Sequence, residues 1–224
     1  GLLTHGLQRH FMISWNASPE TDQIDFGPQY FPSDVGGIQQ GVPLAGQIVA
    51  GGPIYPNPTI MLSYLRVFTL ARKYLYITNP YFIPTESILN ALKQAAFSGV
   101  DVRLLVPEKS DSAIVGAASR FYFKSMTDAG VRIYLYKKGF VHAKTLVADD
   151  SLSVVGTANM DIRSFDLNFA IMSVLYSNEF AHNMKHVFLR DLEDSDEVTQ
   201  DSIKQVSTGR MLIYALARLV SAFL

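Results

Sequence analysis

Phe140-Val141-His142-Ala143-Lys144-Thr145-Leu146-Val147-Ala148-Asp149-Asp150-Ser151-Leu152-Ser153-Val154-Val155-Gly156-Thr157-Ala158-Asn159 is the stretch that decides the fold. β-branched and aromatic residues dominate its first part, which predicts a strand over Phe140 to Val147. Asp149-Asp150-Ser151 are turn formers. Leu152 to Val155 then predicts a return strand ending at Gly156. Strand residues two apart share a face, roughly 6.6–6.8 Å from each other. His142 and Lys144 are therefore expected to point the same way, with Val141, Ala143, Thr145 and Val147 turned into packing.

That pairing carries chemistry. An imidazole beside an ammonium, with a small-residue turn close behind, suits phosphoryl transfer: histidine can attack phosphorus or move a proton, and a cation holds the phosphate. The spaced triplet His142, Lys144, Asp149 is expected only about 0.01 times by chance in a chain of this composition. Asn159 could donate its amide to a phosphate oxygen, or could cap a helix. The backbone N–H groups of Gly156 and Thr157 are candidate donors to the same oxygen.

Outward from this stretch, strands and helices alternate. Helices are predicted over Thr59–Arg72, Ser87–Ser98, Ser112–Ala129 and Asn178–Leu192. Strands are predicted over Tyr74–Thr78, Val100–Val106, Val131–Tyr136 and Phe169–Tyr176. This alternation argues for an α/β fold, a mixed β-sheet sandwiched between helices. Residues 1–15 read as the end of a preceding half or a packing helix. Residues 16–58 hold most of the prolines and glycines and read as a linker or loop with one short strand at Gln47–Ala50. Residues 59–194 form the catalytic domain, and residues 195–224 a C-terminal docking or interfacial helix.

Composition narrows the function. Cysteine is absent from the 224 residues, which excludes disulfides, thiolate catalysis and Cys-ligated zinc. The net charge of −1 leaves no global field for nucleic acid. Six basic residues between Arg120 and Lys144 face only one acid, Asp128, and lead into the motif, where they could draw in an anionic head group; five acids crowd Asp191 to Glu197. No signal-peptide pattern and no apolar run of about 18 residues is visible, so no transmembrane helix is expected within the chain. Met211 to Leu224 reads as a helix apolar nearly all round, docked on another domain in preference to lying in a bilayer surface. His182 and His186 share a helix face but lack a third ligand, so no metal is expected.

His142, Lys144 and Asp149 with Gly156, Thr157, Asn159, Asp161, Arg163 and Ser164 resemble the HKD motif of the phospholipase D superfamily. With Tyr81-Phe82-Ile83-Pro84, Gly99-Val100-Asp101-Val102-Arg103, Ala129-Gly130-Val131-Arg132-Ile133-Tyr134 and Gly139-Phe140-Val141-His142, the chain looks like the C-terminal half of the bacterial cardiolipin synthase family. The resemblance implies α-β-α layering, with two such halves around one site. It implies a catalytic label for His142, Lys144 and Asp149 and substrate binding by Gly156, Thr157 and Asn159. Asp149 itself reads as ordering its turn or pairing with a cation, and Asp161, Arg163 and Ser164 as a buried ion-pair and hydrogen-bond frame. No cofactor is implied.

The implied reaction joins two phosphatidylglycerol molecules into cardiolipin and glycerol through a phosphohistidine, with His142 as acid/base. The implied partners are anionic phospholipid, a membrane surface, and the first HKD half or a second copy of the chain, but not nucleic acid. The implied location is the bacterial cell membrane, peripheral for this chain. The chain departs from the family in two ways. It has one motif where two are usual. It also reads Leu167-Asn168-Phe169-Ala170 where the family commonly ends in Glu, removing the carboxylate that resembles the histidine's orienting partner. An inactive interaction domain and a single-motif phosphodiesterase or nuclease acting as a dimer are the competing expectations.

Overall fold

A computed structural model describes residues 1–32 and 44–221. The turn-rich Gly36-Gly37, Gly41 and Pro43, and the last three residues of the predicted C-terminal helix, lie outside the described residues.

Eight strands form the main sheet. They are β1 (Ala45–Gly51), β2 (Tyr74–Thr78), β4 (Asp101–Pro107), β5 (Arg132–Tyr136), β6 (Thr145–Ala148), β7 (Leu152–Gly156), β9 (Ala170–Tyr176) and β10 (Ser195–Glu197), ordered β1-β9-β7-β6-β2-β4-β5-β10. β2, β4 and β5 run parallel, and the other neighbours pair antiparallel. The sheet is therefore mixed, as expected. Two short strands, β3 (Phe82–Ile83) and β8 (Met160–Asp161), pair parallel outside it.

Strand alternation sorts side chains to two faces. Leu75 and Ile77 of β2, with Val102, Leu104 and Val106 of β4, face a large core covered by α2 (Thr59–Leu70), α3 (Glu86–Phe97) and α4 (Ala113–Thr127). Tyr74, Tyr76, Leu105 and Tyr134 face the other way. There they pack with Ala181 and Phe188 of α6 (Asn178–Glu193). Helices on both faces of one sheet give the α-β-α layering. The starts of α3, α4 and α6 follow from their caps: the Thr85, Ser112 and Ser177 hydroxyls accept N–H bonds from Ile88, Val115 and Phe180. α1 (Leu2–Asn16) packs on β1, the sheet edge contributed by the Pro/Gly-rich segment.

Two expectations need correction. The motif strand begins at Thr145, not Phe140. Its last ladder pair is Thr145 with Thr78. Beyond that point β2 ends in Asn79-Pro80, and proline has no N–H to continue a ladder. Residues 137–144 are irregular, and the Lys144 ammonium binds the carbonyl of His142 at 2.9 Å. Ala143 is consequently exposed and Lys144 buried, the reverse of the expected alternation.

The basic run is also not a free patch. β5 and β10 bring it against the acidic run: Arg132 pairs with Glu197 at 2.7 Å, Lys137 with Asp196 at 2.7 Å and Lys138 with Asp194 at 2.8 Å. Lys124 pairs with Asp128 at 2.6 Å. These cations are neutralised where they stand and cannot serve as the expected lure for an anionic head group.

Candidate active site

The site forms where the segment after β2, the segment before β6 and the β8–α5 junction meet; α5 spans Ile162–Asp166. His142 is exposed, and its imidazole lies against two rings: Phe140 at 5.5 Å and Tyr81, edge-on, at 6.3 Å between centroids. Tyr81 and Phe140 also touch each other at 5.9 Å. The Tyr81 hydroxyl donates to Asp111, and burial together with that bond pushes the phenol up to about 12. Among the described residues, no carboxylate bonds the His142 ring.

Lys144 is only 8% exposed. Burial lowers its ammonium from the ordinary lysine value, against a partial pull upward from Asp161. Asp161 is also felt by Tyr81, so the cation and the ring that packs on His142 converge on one carboxylate. Asp161 caps α5: its carboxylate accepts the Ser164 N–H at 2.6 Å and the Ser164 hydroxyl at 3.1 Å. The Asn159 amide in turn donates to the Ser164 hydroxyl at 3.2 Å. The Asn159 carbonyl oxygen is buried without a partner among the described residues. A cavity of about 450 Å³ opens beside this chain of contacts, lined by Tyr81, Ile83, Asn159, Asp161 and Ser164 among others. Asn159 is thus not the helix cap, and it reaches the cavity wall.

Asn79 completes the frame. Buried at 1% exposure, its side-chain oxygen accepts the N–H groups of Met160 at 3.1 Å and Tyr81 at 3.3 Å. It therefore fixes the Tyr81 segment to the Asn159 segment. Its amide nitrogen has no partner among the described residues. Sequence reasoning missed Asn79 and the role of Phe140. The only local signal was a turn dipeptide, Asn79-Pro80, directly after a strand.

Asp149 is not brought to this site. It sits at the other end of β6 from Lys144, about 16 Å along an extended chain. There its carboxylate accepts three backbone N–H groups, from Arg72 at 2.7 Å, Lys73 at 2.8 Å and Tyr74 at 3.0 Å. It orders the entry to β2 and touches no reacting group, which corrects its catalytic label. The motif turn itself holds Asp149 and Asp150 at φ 54.

Gly156 and Thr157 also act differently from expectation. The Gly156 N–H bonds the Lys144 carbonyl at 3.0 Å and the Thr157 N–H bonds the Ile171 carbonyl at 2.9 Å, so neither is free for a phosphate. Gly156 is required because a Cβ there would lie 2.8 Å from the Ile171 carbonyl oxygen. The Thr157 hydroxyl accepts the Ile171 N–H at 3.0 Å, facing β9 rather than the cavity. Asp161, Ser164 and Asn159 form a hydrogen-bonded frame, and Arg163, exposed rather than buried as expected, lines the same cavity. Ala170 opens β9 opposite Gly51 and lines a separate cavity of about 390 Å³ with His10, Tyr55 and Thr157. His182 and His186 face each other on α6 with their Nε2 atoms 2.9 Å apart; no group of three metal-binding side chains exists among the described residues.

Comparison with known proteins fits this geometry. The cardiolipin synthase of Listeria welshimeri is 38% identical over 224 residues, all of this chain and 46% of that protein. The cardiolipin synthase of Clostridium perfringens strain 13 is 38% identical over 222 residues, again 46% of its length. The chain therefore spans about half the length of the curated relatives it matches. Among solved structures, the phospholipase D family member Nuc from Salmonella typhimurium superposes with a TM-score of 0.60 at 16% identity, covering 70% of this chain and 100% of that one. Phosphatidylserine synthase of Haemophilus influenzae superposes with a TM-score of 0.62 at 15% identity, covering 83% and 48%. Residues 64–192 match the family described as "Cardiolipin synthase, PLD-like domain", and the chain belongs to that family.

Proposed function

We propose that this chain is the second HKD half of a phosphatidyltransferase of the cardiolipin synthase type. The observation that carries the reading is the buried Lys144 ammonium, held on the carbonyl of the exposed His142 and tied to a cavity walled by Asn159 through two of its lining residues, Tyr81, which packs on His142, and Asp161, whose charge Lys144 feels. A desolvated cation gains most from an anion that enters its pocket, because the attraction is unscreened there. The substrate class is anionic phospholipid, presented at a bacterial membrane surface.

In this reading a histidine of the missing half attacks phosphorus. The N–P bond forms as the P–O bond to the leaving glycerol breaks, and His142 gives that oxygen a proton. His142 then takes the hydroxyl proton of an incoming phosphatidylglycerol. Its oxygen attacks phosphorus, the N–P bond breaks, and the catalytic groups return to their starting state. Lys144 and the Asn159 amide hold the non-bridging oxygens throughout. Asp161, Ser164 and Asn79 position them.

The test is conversion of phosphatidylglycerol to cardiolipin by the chain alone and by the chain mixed with a separately expressed first half. Activity is expected only in the mixture, and replacing His142 or Lys144 is expected to abolish it. Robust transfer by the isolated monomer would overturn the two-half reading. Ala170 favours a slow enzyme, since His142 lacks a carboxylate to fix its tautomer. Ala170→Glu is expected to raise the rate of the mixture; no change in rate would show that His142 does not depend on that carboxylate.

A further inference from the structure

The C-terminal helix α8 (Thr208–Ser221) has two unlike sides. One docks on α4. Ala217 is buried there, Arg218 Nε donates to the Tyr122 hydroxyl at 3.3 Å, and the Arg218 guanidinium lies 4.9 Å from the Phe121 ring. The other side is unpartnered among the described residues. Leu212, Ile213, Leu216, Leu219 and Val220, spaced to fall on one helical face, are each at least half exposed. Five aliphatic side chains in line form a contiguous apolar surface, unlike the scattered exposed apolar residues common on soluble proteins.

We propose that this face of α8 lies in the surface of an anionic bilayer and sets the active-site cavity at the lipid boundary. The proposal rests on the phospholipid reading of that cavity and deepens it.

Three observations select a bilayer as the occupant. Among the described residues the stripe is aliphatic, with no polar side chain within it, which suits an acyl-chain environment. α8 contains no acid, and Arg210 in its first turn is exposed while Arg218 is engaged on α4, so the free charge beside the stripe is positive, which matches an anionic surface. The helix itself reaches the site: Ser221, on its docked side four residues after the buried Ala217, lines the same cavity as Tyr81, Asn159 and Asp161. Ile162, a further exposed apolar side chain, lines the same cavity. A helix lying between headgroups and acyl chains beside this opening would let a phosphate reach the Asn159 wall of the cavity while its acyl chains remain in lipid.

Flotation of the chain with unilamellar vesicles tests this without any turnover. The chain is expected to float with vesicles of equal parts phosphatidylglycerol and phosphatidylcholine, and less with phosphatidylcholine alone. Leu216→Ser combined with Leu219→Ser is expected to weaken partitioning at least about tenfold, because each removes a large apolar side chain from lipid. Phe97→Ser, at an exposed apolar residue ending α3, should leave it unchanged. If the double variant loses its native near-ultraviolet circular dichroism, Leu212→Ser with Val220→Ser probes the same face. A variant pair that floats as strongly as the unaltered chain overturns the proposal. So does a chain that stays at the bottom of the gradient. So does a dimer in sedimentation velocity that the double substitution makes monomeric, which would put a second copy on the stripe. His142→Ala should float normally, so a failed transfer assay and a failed membrane contact are told apart.

Discussion

Replacing Asp149 with Asn separates architecture from catalysis within the motif. The native carboxylate accepts three N–H bonds, from Arg72, Lys73 and Tyr74, all between 2.7 and 3.0 Å. An amide oxygen can keep one or two of them but loses the charge, and its NH₂ group opposes the remaining donor. Hydrogen bonds to charged groups contribute about 1.5–3 kcal/mol each. Two of the three donors lie at exposed positions, where water replaces part of what is lost. A net loss of about 2 kcal/mol follows, which for a chain of 224 residues lowers Tm by about 4–8 °C. Asn tolerates the φ of 54 at this position, so backbone strain does not contaminate the comparison. Urea unfolding gives the stability, and titration with inorganic phosphate, followed by NMR, gives the affinity of the site. The expected result is a destabilised chain whose phosphate affinity is unchanged. Unchanged stability with lost phosphate affinity would mean that Asp149 orients a cation or donor of the anion site, and the separation of the two ends of β6 would then be irrelevant to function.

The remaining expectations concern Lys144, Gly156 and the β5–β10 edge. Burial lowers Lys144 below its ordinary value of 10.5, so the unfolded chain binds more protons than the folded one in the window just under 10.5. This residue therefore disfavours folding at neutral pH, and its contribution improves as pH rises through that window. Phosphate affinity should fall on the alkaline side before an exposed lysine would deprotonate, and Lys144→Met should remove that dependence; an alkaline fall no earlier than that of an exposed lysine would contradict it. Gly156→Ala forces a methyl to within 2.8 Å of the Ile171 carbonyl and should cost about 1–3 kcal/mol in urea unfolding. Lys137→Gln with Lys138→Gln breaks two exposed, solvent-screened ion pairs and should leave both the urea midpoint and the phosphate affinity nearly unchanged.

Much of the sheet was legible because its strands carry their own signal. β2 matches its expected span of Tyr74–Thr78 residue for residue, and the long helices lie within two residues of expectation. Their caps and apolar spacing are local. The first part of the motif segment was not legible in the same way. Its β-branched and aromatic composition is real, but whether it forms a strand depends on a partner, and β2 stops at Thr78. The two-residue strands β3 and β8 carry no pattern of their own, since their pairing joins positions 78 residues apart. The acidic and basic runs were both visible as charge blocks. Their mutual neutralisation depends on the antiparallel register of β5 and β10, which no spacing along the chain reveals. The same holds at the site. His142, Lys144 and Asn159 could be read from the motif, whereas Asn79 becomes meaningful only when its side chain is seen holding Met160.

The β3–β8 pair has a bearing on fidelity of assembly. Two rungs are too few to choose their own alignment, so the choice falls to the Asn79 side chain, which bonds the backbone of Met160 and Tyr81 together. Sliding this seam by a single position would drive the Asp161 carboxylate into the apolar berth that Met160 fills at 1% exposure, and would strip α5 of its cap. Misalignment is thereby penalised twice, by an ionised group buried in oil and by an unravelled first turn. One amide thus acts as the proofreader for the geometry in which an anion could be gripped.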